Sequence, residues 1–209
     1  MTNVVRVVDF AKLSVAQVEV KLNALGDGLS QLLKPGRNKG VRGQKLEEAL
    51  GIPPGSSLTD MVDGELKTFT KGETISVTML GHCLPEIIPK PVDFRKSKVY
   101  EKIKQLIVVG FDLDGTARWE TINETNSPKI YQEIAEDYNY IAKEINKAYL
   151  AEVLLHTISG PNKLLQIRTK ASAKPDGTYT PLYYKDAYLK DKSMAFFLMS
   201  RFGHEVLEW

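Results

Sequence analysis

The sequence predicts a mixed α/β fold in which a central sheet is flanked by helices. Apolar residues recur every three or four positions in residues 14–33 and 128–149, which is the spacing of one helix face. Between these stretches, short apolar or alternating segments bounded by turn residues are typical of strands, as in residues 106–111. Hydrophobic residues make up 43% and charged residues 26% of the chain, which excludes a mainly disordered protein.

Capping and turn residues give the expected bounds of the elements. Ser14 is a candidate N-cap for the first helix, and Pro128 after Ser127 is typical of the first turn of another. Asp114 followed by Gly115 predicts a hairpin turn. The expected elements, in order, are a helix over residues 14–33, a helix over 42–50, strands over 62–69 and 74–80, a helix over 97–104, strands over 106–111 and 116–122, a helix over 128–149, a strand over 164–168 and a closing helix over 193–202.

Cysteine content and hydropathy indicate where the protein is found. The single cysteine, Cys83, excludes an intramolecular disulfide, so the fold needs no oxidising compartment. Residues 1–10 lack the apolar core and cleavage site of a signal peptide, and the apolar run at residues 106–109 is far too short to span a bilayer. The sequence therefore predicts a cytoplasmic protein that contacts no membrane, with Cys83 as a small buried residue.

Charge is unevenly distributed along the chain, although the formal net charge is only +2. Residues 34–45 contain five basic residues and no acid, whereas residues 47–65 contain five acids and no base. Such runs are usually solvated surfaces. Acids placed between basic segments are also what a metal-dependent enzyme acting on a phosphate polymer needs, because the acids hold the cation and the bases hold the backbone.

Asp60, Glu65 and Lys67 form the most chemically informative set. In a strand, Glu65 and Lys67 lie on one face and Leu66 on the other, while Asp60 lies in the turn before the strand. Two carboxylates suit Mg²⁺, and a nearby lysine can help to activate water for attack on a phosphodiester. Asp63 remains an alternative to Asp60, and an exposed amphipathic strand with a simple Glu–Lys pair remains an alternative to a site.

Together with the preceding helix, this set resembles the active-site segment of the MutH-like nucleases. That group belongs to the PD-(D/E)xK nuclease superfamily and contains the mismatch-repair endonuclease MutH and several type II restriction endonucleases. The resemblance covers residues 43–52 and continues through Asp60, Glu65 and Lys67. It implies that Asp60 and Glu65 bind the metal, that Lys67 is the catalytic lysine, and that Glu47 is the glutamate of the helix, supporting a second metal or orienting Lys67.

The resemblance extends from about residue 38 to the C-terminus and implies further site residues. Lys102 matches a second lysine near the catalytic centre. Arg168 and Lys170, at the end of a strand, match DNA-reading residues, and Tyr188 and Lys190 match a DNA-contacting turn. In chemical terms, Arg168 could contact guanine N7 and O6 in the major groove, while the lysines could hold phosphates.

The function implied is that of a type II restriction endonuclease. It would use Mg²⁺, for which Mn²⁺ can substitute, to cut double-stranded DNA and leave 5′-phosphate and 3′-hydroxyl ends. A cognate DNA methyltransferase would protect the same site, and the enzyme would be a monomer or a homodimer. The chain is expected to be one domain over residues 1–209, with a catalytic lobe over about 1–90 and a DNA-reading lobe over about 91–209.

Three alternatives remain at this point. A MutH-type mismatch-repair nicking endonuclease differs in its partners and has a longer spacing between the aspartate and the glutamate. Asp112 and Asp114 after an apolar strand resemble the first motif of haloacid-dehalogenase-type phosphohydrolases, in which they would be the nucleophile and the general acid. That motif normally opens a doubly wound domain, and here a β-turn at Asp114 and Gly115 is favoured. A DNA-binding module without enzymatic activity is the third.

Overall fold

The structure is a computed structural model that describes residues 12–32, 39–53, 59–170, 174–184 and 187–209. The side chains of residues 32, 39, 40, 183, 184 and 187–191 are outside the description as well. The helices are α1 (Val15–Leu25), α2 (Gly28–Leu32), α3 (Lys39–Leu50), α4 (Leu80–Ile87), α5 (Lys98–Ile103), α6 (Pro128–Leu150) and α7 (Ser200–Leu207), with a 3₁₀ turn at Phe94–Lys96. Within these ranges no helix is both long and apolar enough to cross a membrane.

The strands are shared among separate sheets. They are β1 (Glu65–Thr70), β2 (Ile75–Met79), β3 (Gln105–Phe111), β4 (Ala117–Asn123), β5 (Ile158–Ser159), β6 (Leu165–Thr169), β7 (Pro181–Tyr184), β8 (Ala187–Lys192) and β9 (Met194–Leu198). One sheet has the order β1-β3-β4, with β1 parallel to β3 and β4 antiparallel to it. A second, antiparallel sheet has the order β2-β9-β6-β5, and β7 pairs with β8. The mixed α/β class is therefore confirmed, but the strands do not form one central sheet.

The β1-β3-β4 sheet separates two hydrophobic cores. Ile107 and Val109 of β3 pack in one core with residues of α1 and α3. Leu106 and Val108, which alternate with them, pack in the other core with residues of α4, α6 and β9. Because β1 pairs with β3, this sheet joins segments on both sides of the boundary that was expected near residue 90.

The predicted closing helix over residues 193–202 is wrong. Met194–Leu198 is strand β9, and helix α7 begins only at Ser200. All five residues of β9 are buried, since the strand lies between β2 and β6 and is covered on both faces. A short continuous apolar run of this kind has no alternating pattern, so its periodicity does not distinguish a strand from a helix.

The predicted helix over residues 14–33 is broken into two. The side chain of Ser14 caps α1 as expected, but α1 ends at Leu25 because Gly26 takes a positive φ of 47°. The predicted stop at Pro35 and Gly36 lies outside the described residues. Helix α4 was not predicted, and β1 begins at Glu65 rather than at residue 62. The hairpin of β3 and β4, helices α3, α5 and α6 and strand β6 are confirmed.

Cys83 lies buried on α4, as predicted. Burial raises the pKa of its thiol to about 12. The residue therefore stays protonated near neutral pH and serves as a small apolar side chain.

Candidate active site

Glu65, the first residue of β1, is a buried carboxylate held by two lysines. Only 1% of Glu65 is exposed. Its Oε1 atom lies 2.5 Å from Nζ of Lys67 and 3.0 Å from Nζ of Lys102. Leu66, between Glu65 and Lys67, points into the core with α1 and α3, so the predicted division of faces is confirmed. An exposed strand with a simple surface ion pair is not what these residues form.

Asp60 lies in the turn before β1 and faces the same lysine. The backbone N–H of Leu66 donates to Oδ2 of Asp60 at 3.2 Å, and the backbone N–H of Asp60 donates to Oε2 of Glu65 at 3.1 Å. These two bonds tie the turn to the strand in both directions. Oδ2 of Asp60 lies 3.9 Å from Nζ of Lys67, so the carboxylates of Asp60 and Glu65 converge on one ammonium group.

Asp63 faces a different part of the molecule. Its Oδ1 atom accepts a hydrogen bond from the backbone N–H of Val15, the first residue of α1, at 2.8 Å. Asp60 and Asp63 are separated by a tight turn in which the N–H of Met61 donates to the carbonyl of Gly64 at 3.0 Å. The geometry therefore brings Asp60, rather than Asp63, to Glu65 and Lys67.

Lys102 reaches Glu65 from helix α5. Ser97 caps this helix by accepting from the N–H of Tyr100 at 3.1 Å, and the helix buries Val99 and Ile103 against the core. Lys102 immediately precedes the buried Ile103, and its largely buried side chain extends to Glu65 at the start of β1. Helix α5 leads directly into β3, the partner of β1, so the pairing of these strands fixes the distance between the two lysines.

Glu47 of α3 shares the electrostatic environment of this cluster. Burial raises the pKa of Glu47, the charges of Asp60 and Glu65 raise it further, and Lys67 opposes them. Helix α3 approaches β1 closely at Gly43, where a β-carbon would lie 3.3 Å from Oγ1 of Thr68. Glu47 is one helical turn after Gly43 and so lies on the same side of α3.

Arg168 and Lys170 contact the site through two hydroxyl residues at the start of β2. Lys170 donates to Oγ of Ser76 at 2.6 Å, and Arg168 donates to Oγ1 of Thr74 at 2.7 Å. The guanidinium of Arg168 also lies 4.3 Å from the ring centroid of Phe197. Burial, and next the charge of Lys67, lower the pKa of Lys170.

Thr74 and Ser76 were not singled out in the sequence. A signal was present, because hydroxyl residues alternate with apolar ones along residues 74–78 and therefore share one face of the strand. The sequence does not indicate which basic side chains this face meets. The partners come from β6, about ninety positions later, with the strand β9 lying between β2 and β6.

A groove of about 600 Å³ lies at this cluster. It is open to solvent on one side and runs between α3, β1 and the start of β2. Five of the charged side chains named above line it: Glu47, Glu65, Lys67, Lys102 and Lys170. Asp60 and Arg168 lie beside the groove, bonded to its lining residues Leu66 and Thr74. Carboxylates for a cation and ammonium groups for an anion are thus present in one groove.

The expectation that Tyr188 and Lys190 lie in a turn is wrong. Both belong to strand β8, which pairs with β7 in an antiparallel hairpin. Their side chains lie outside the part of the chain that the structure describes.

Asp112 and Asp114 form the turn between β3 and β4. Oδ1 of Asp112 accepts from the N–H of Leu113 at 2.7 Å, and this bond, followed by the hydrogen bond from Lys71, lowers the pKa of Asp112. Oδ1 of Asp114 accepts from the N–H of Thr116 at 2.8 Å. Both carboxylates thus stabilise the hairpin turn that the sequence predicted here.

The donor set of the cluster fits a hard cation. In the described ranges, no group of three or more histidine, cysteine, aspartate or glutamate side chains is arranged to hold a metal ion. Mg²⁺ is commonly held by one or two carboxylates, with water and substrate phosphates as the remaining ligands. Asp60 and Glu65 supply such a pair, whereas a zinc site needs nitrogen or sulfur ligands that these residues do not offer.

Comparisons with known proteins assign no family to this chain. No protein-family model matches the sequence, and a search of curated proteins finds no relative. What the groove does must therefore be inferred from its own residues.

Proposed function

We propose that the protein is a Mg²⁺-dependent, sequence-specific endonuclease of the type II restriction kind. It would hydrolyse phosphodiester bonds in double-stranded DNA and leave 5′-phosphate and 3′-hydroxyl ends. The observation that carries the proposal is the convergence of Asp60, Glu65 and Lys67 at the start of β1. The similarity of this segment to the MutH-like nucleases supports it and leads us to expect a restriction-endonuclease-like core with two lobes around a DNA cleft.

Each side chain of the cluster has a distinct task in this proposal. Asp60 and Glu65 would hold the ion, and Glu47 would support a second ion or orient Lys67. Bound Mg²⁺ would supply Lewis-acid stabilisation of the phosphate and a more acidic water. Lys67 would position the attacking water by hydrogen bonding, and Lys102 would compensate the charge of Glu65 from the opposite side.

DNA would lie along the basic residues at the groove. Lys170 is suited to a phosphate, and the fork of Arg168 is suited to guanine N7 and O6. Thr74 and Phe197 would keep the guanidinium in place before DNA arrives, which lowers the entropic cost of binding.

The acids in the groove favour an enzyme over a simple DNA-binding module. A module that only binds DNA gains from bases and loses from carboxylates, because the carboxylates repel phosphates. Burying a carboxylate such as Glu65 is costly and needs the two lysines as partners. Buried charged groups that are held by specific partners in a groove are typical of active sites.

The short spacing between Asp60 and Glu65 favours a restriction enzyme over a mismatch-repair nickase. The test is incubation of a sequenced supercoiled plasmid with the protein alone and Mg²⁺. Restriction activity gives fixed double-strand fragments. A repair enzyme gives weak nicking that a partner protein stimulates. That result would favour the mismatch-repair nickase over the restriction enzyme.

Substitutions then test the assigned site. Asp60→Asn and Lys67→Ala are each expected to slow cleavage by a factor of at least ~100. Glu48→Gln is the matched control, since Glu48 is exposed and adjacent to Glu47 on α3. The proposal is wrong if no DNA is cut with Mg²⁺ or Mn²⁺. The site assignment is wrong if Asp60→Asn and Lys67→Ala cleave normally.

A further inference from the structure

The turn that carries Asp60 is attached to the segment before helix α1. The backbone N–H of Val62 donates to the carbonyl of Leu13 at 3.0 Å, and the N–H of Val15 donates to Oδ1 of Asp63 at 2.8 Å. Nζ of Lys12 donates to the carbonyl of Thr59. Residues 12–15 and 59–64, more than forty positions apart in sequence, thus form one connected unit.

We propose that Asp63 is a positioning residue of the active site. By binding the first N–H of α1, it would fix the turn so that Asp60 stays directed at Glu65 and Lys67. This inference rests on the proposed nuclease function. It assigns a role to Asp63, which the sequence left as the alternative to Asp60 as a metal ligand.

Helix geometry explains why a carboxylate is suited to this task. The first N–H groups of an α-helix have no partner within the helix, and the helix dipole favours a negative charge near them. Ser14 already accepts from Gln17, so the N–H of Val15 needs an acceptor from elsewhere in the chain. Asp63 supplies this acceptor.

The turn is compact enough to transmit a displacement of Asp63 to Asp60. Met61 and Gly64 close it with a hydrogen bond, and Oγ1 of Thr59 donates to the carbonyl of Met61 at 2.8 Å. A β-carbon on Gly64 would lie 2.5 Å from Cγ2 of Val15 and 2.7 Å from the carbonyl oxygen of Gln105. The turn therefore has little space to rearrange on its own.

Two substitutions separate a positioning role from metal binding. Asparagine keeps an acceptor oxygen for the N–H of Val15 but removes the charge that a cation needs, whereas alanine removes both. We expect Asp63→Asn to cleave DNA within about threefold of the wild type. We expect Asp63→Ala to lose ~10–100-fold in kcat, with an unchanged KM for DNA, because a small misplacement of a reacting group has effects of that size.

A third substitution controls for general loss of stability. Ser14→Ala removes the cap of the same helix, in which Ser14 Oγ accepts from the N–H of Gln17, but leaves the contacts to the turn. It should lower the melting temperature as Asp63→Ala does, with kcat unchanged. The inference is wrong if Asp63→Ala lowers the melting temperature without changing kcat. It is also wrong if Asp63→Asn is as inactive as Asp60→Asn and needs more Mg²⁺, which would make Asp63 a ligand.

Hydrogen exchange gives a readout that does not depend on cleavage. The amide of Leu66 donates to Asp60, so its exchange rate reports whether Asp60 is in place. We expect Asp63→Ala to accelerate exchange at Leu66 but not at Val108 of β3, and Ser14→Ala to leave Leu66 unchanged. If the wild type cuts no DNA but Leu66 responds in this way, only the nuclease proposal fails. An unchanged rate at Leu66 in Asp63→Ala overturns the inference.

Discussion

Replacing Asp137 with alanine should destabilise the protein by about 3–5 kcal/mol. Asp137 lies on α6 with no exposed surface. Its carboxylate accepts from the backbone N–H groups of Asn162 at 2.7 Å, Leu164 at 2.8 Å and Leu165 at 2.9 Å. Hydrogen bonds to a charged group contribute ~1.5–3 kcal/mol each, and the total is less than their sum because neighbouring bonds are not additive.

Asp137→Asn should be milder, at about 2–3 kcal/mol. Its single carbonyl oxygen can replace Oδ2, which accepts from Leu164 and Leu165, but its amide group then faces the N–H of Asn162. Chemical denaturation followed by circular dichroism measures both variants. Glu144→Gln is the control on the same helix, because its ion pair with Lys147 is exposed and contributes under ~0.5 kcal/mol.

The same substitutions should also affect the residues that we propose bind DNA. Residues 160–165 lead into β6, which carries Arg168 near its end, so a loosened loop should weaken DNA binding before the fold is lost. A loss below ~1 kcal/mol in Asp137→Ala would show that the carboxylate does not hold this loop, and the reasoning would be refuted.

Three further predictions concern the groove and the packing of β3. Because burial and the charge of Asp60 raise the pKa of Glu47, its ionised form is disfavoured in the folded state and stability is lost as pH rises through that pKa. Glu47→Gln should therefore raise the melting temperature at neutral pH and lose this advantage in acid; a lower melting temperature at neutral pH would contradict it. Lys170→Ala should weaken DNA binding and reduce the slope of log affinity against log salt by about 1, measured by fluorescence anisotropy. Gly110→Ala should cost ~1–3 kcal/mol in a denaturation experiment, since its β-carbon would lie 2.4 Å from Cδ1 of Leu207, whereas Gly28→Ala, with no atom within 4 Å, should not destabilise.

The local part of the candidate site could be predicted from the sequence. Glu65, Leu66 and Lys67 are consecutive, so strand geometry alone assigns their faces. Strand geometry favoured Asp60, because Asp63 lies only two residues before Glu65 on the expected strand, but left Asp63 as an alternative. The contact between Asp63 and α1, which is distant in sequence, could not be predicted in this way.

The remaining differences arise where tertiary contacts override local pattern. Strand β9 is buried on both faces, which removes the alternation by which a strand is recognised. Helix α4 could have been found, since Leu80, Cys83, Leu84 and Ile87 follow helical spacing and are all buried, although a proline such as Pro85 is unusual inside a helix. Side chains of β2 and β6 come together because β9 pairs with both strands, and β2 is far from the other two in the chain.

The position of Asp60 has a consequence for how the protein behaves in solution. Among the described strands, β1 lies at the edge of its sheet, and an edge N–H is a template for pairing with another chain. The N–H of Leu66 is occupied by Asp60 instead, so the carboxylate proposed for catalysis also protects the edge. An inactive protein for DNA-binding studies should therefore carry Asp60→Asn, which keeps an acceptor oxygen there, because Asp60→Ala would expose the edge and favour self-association.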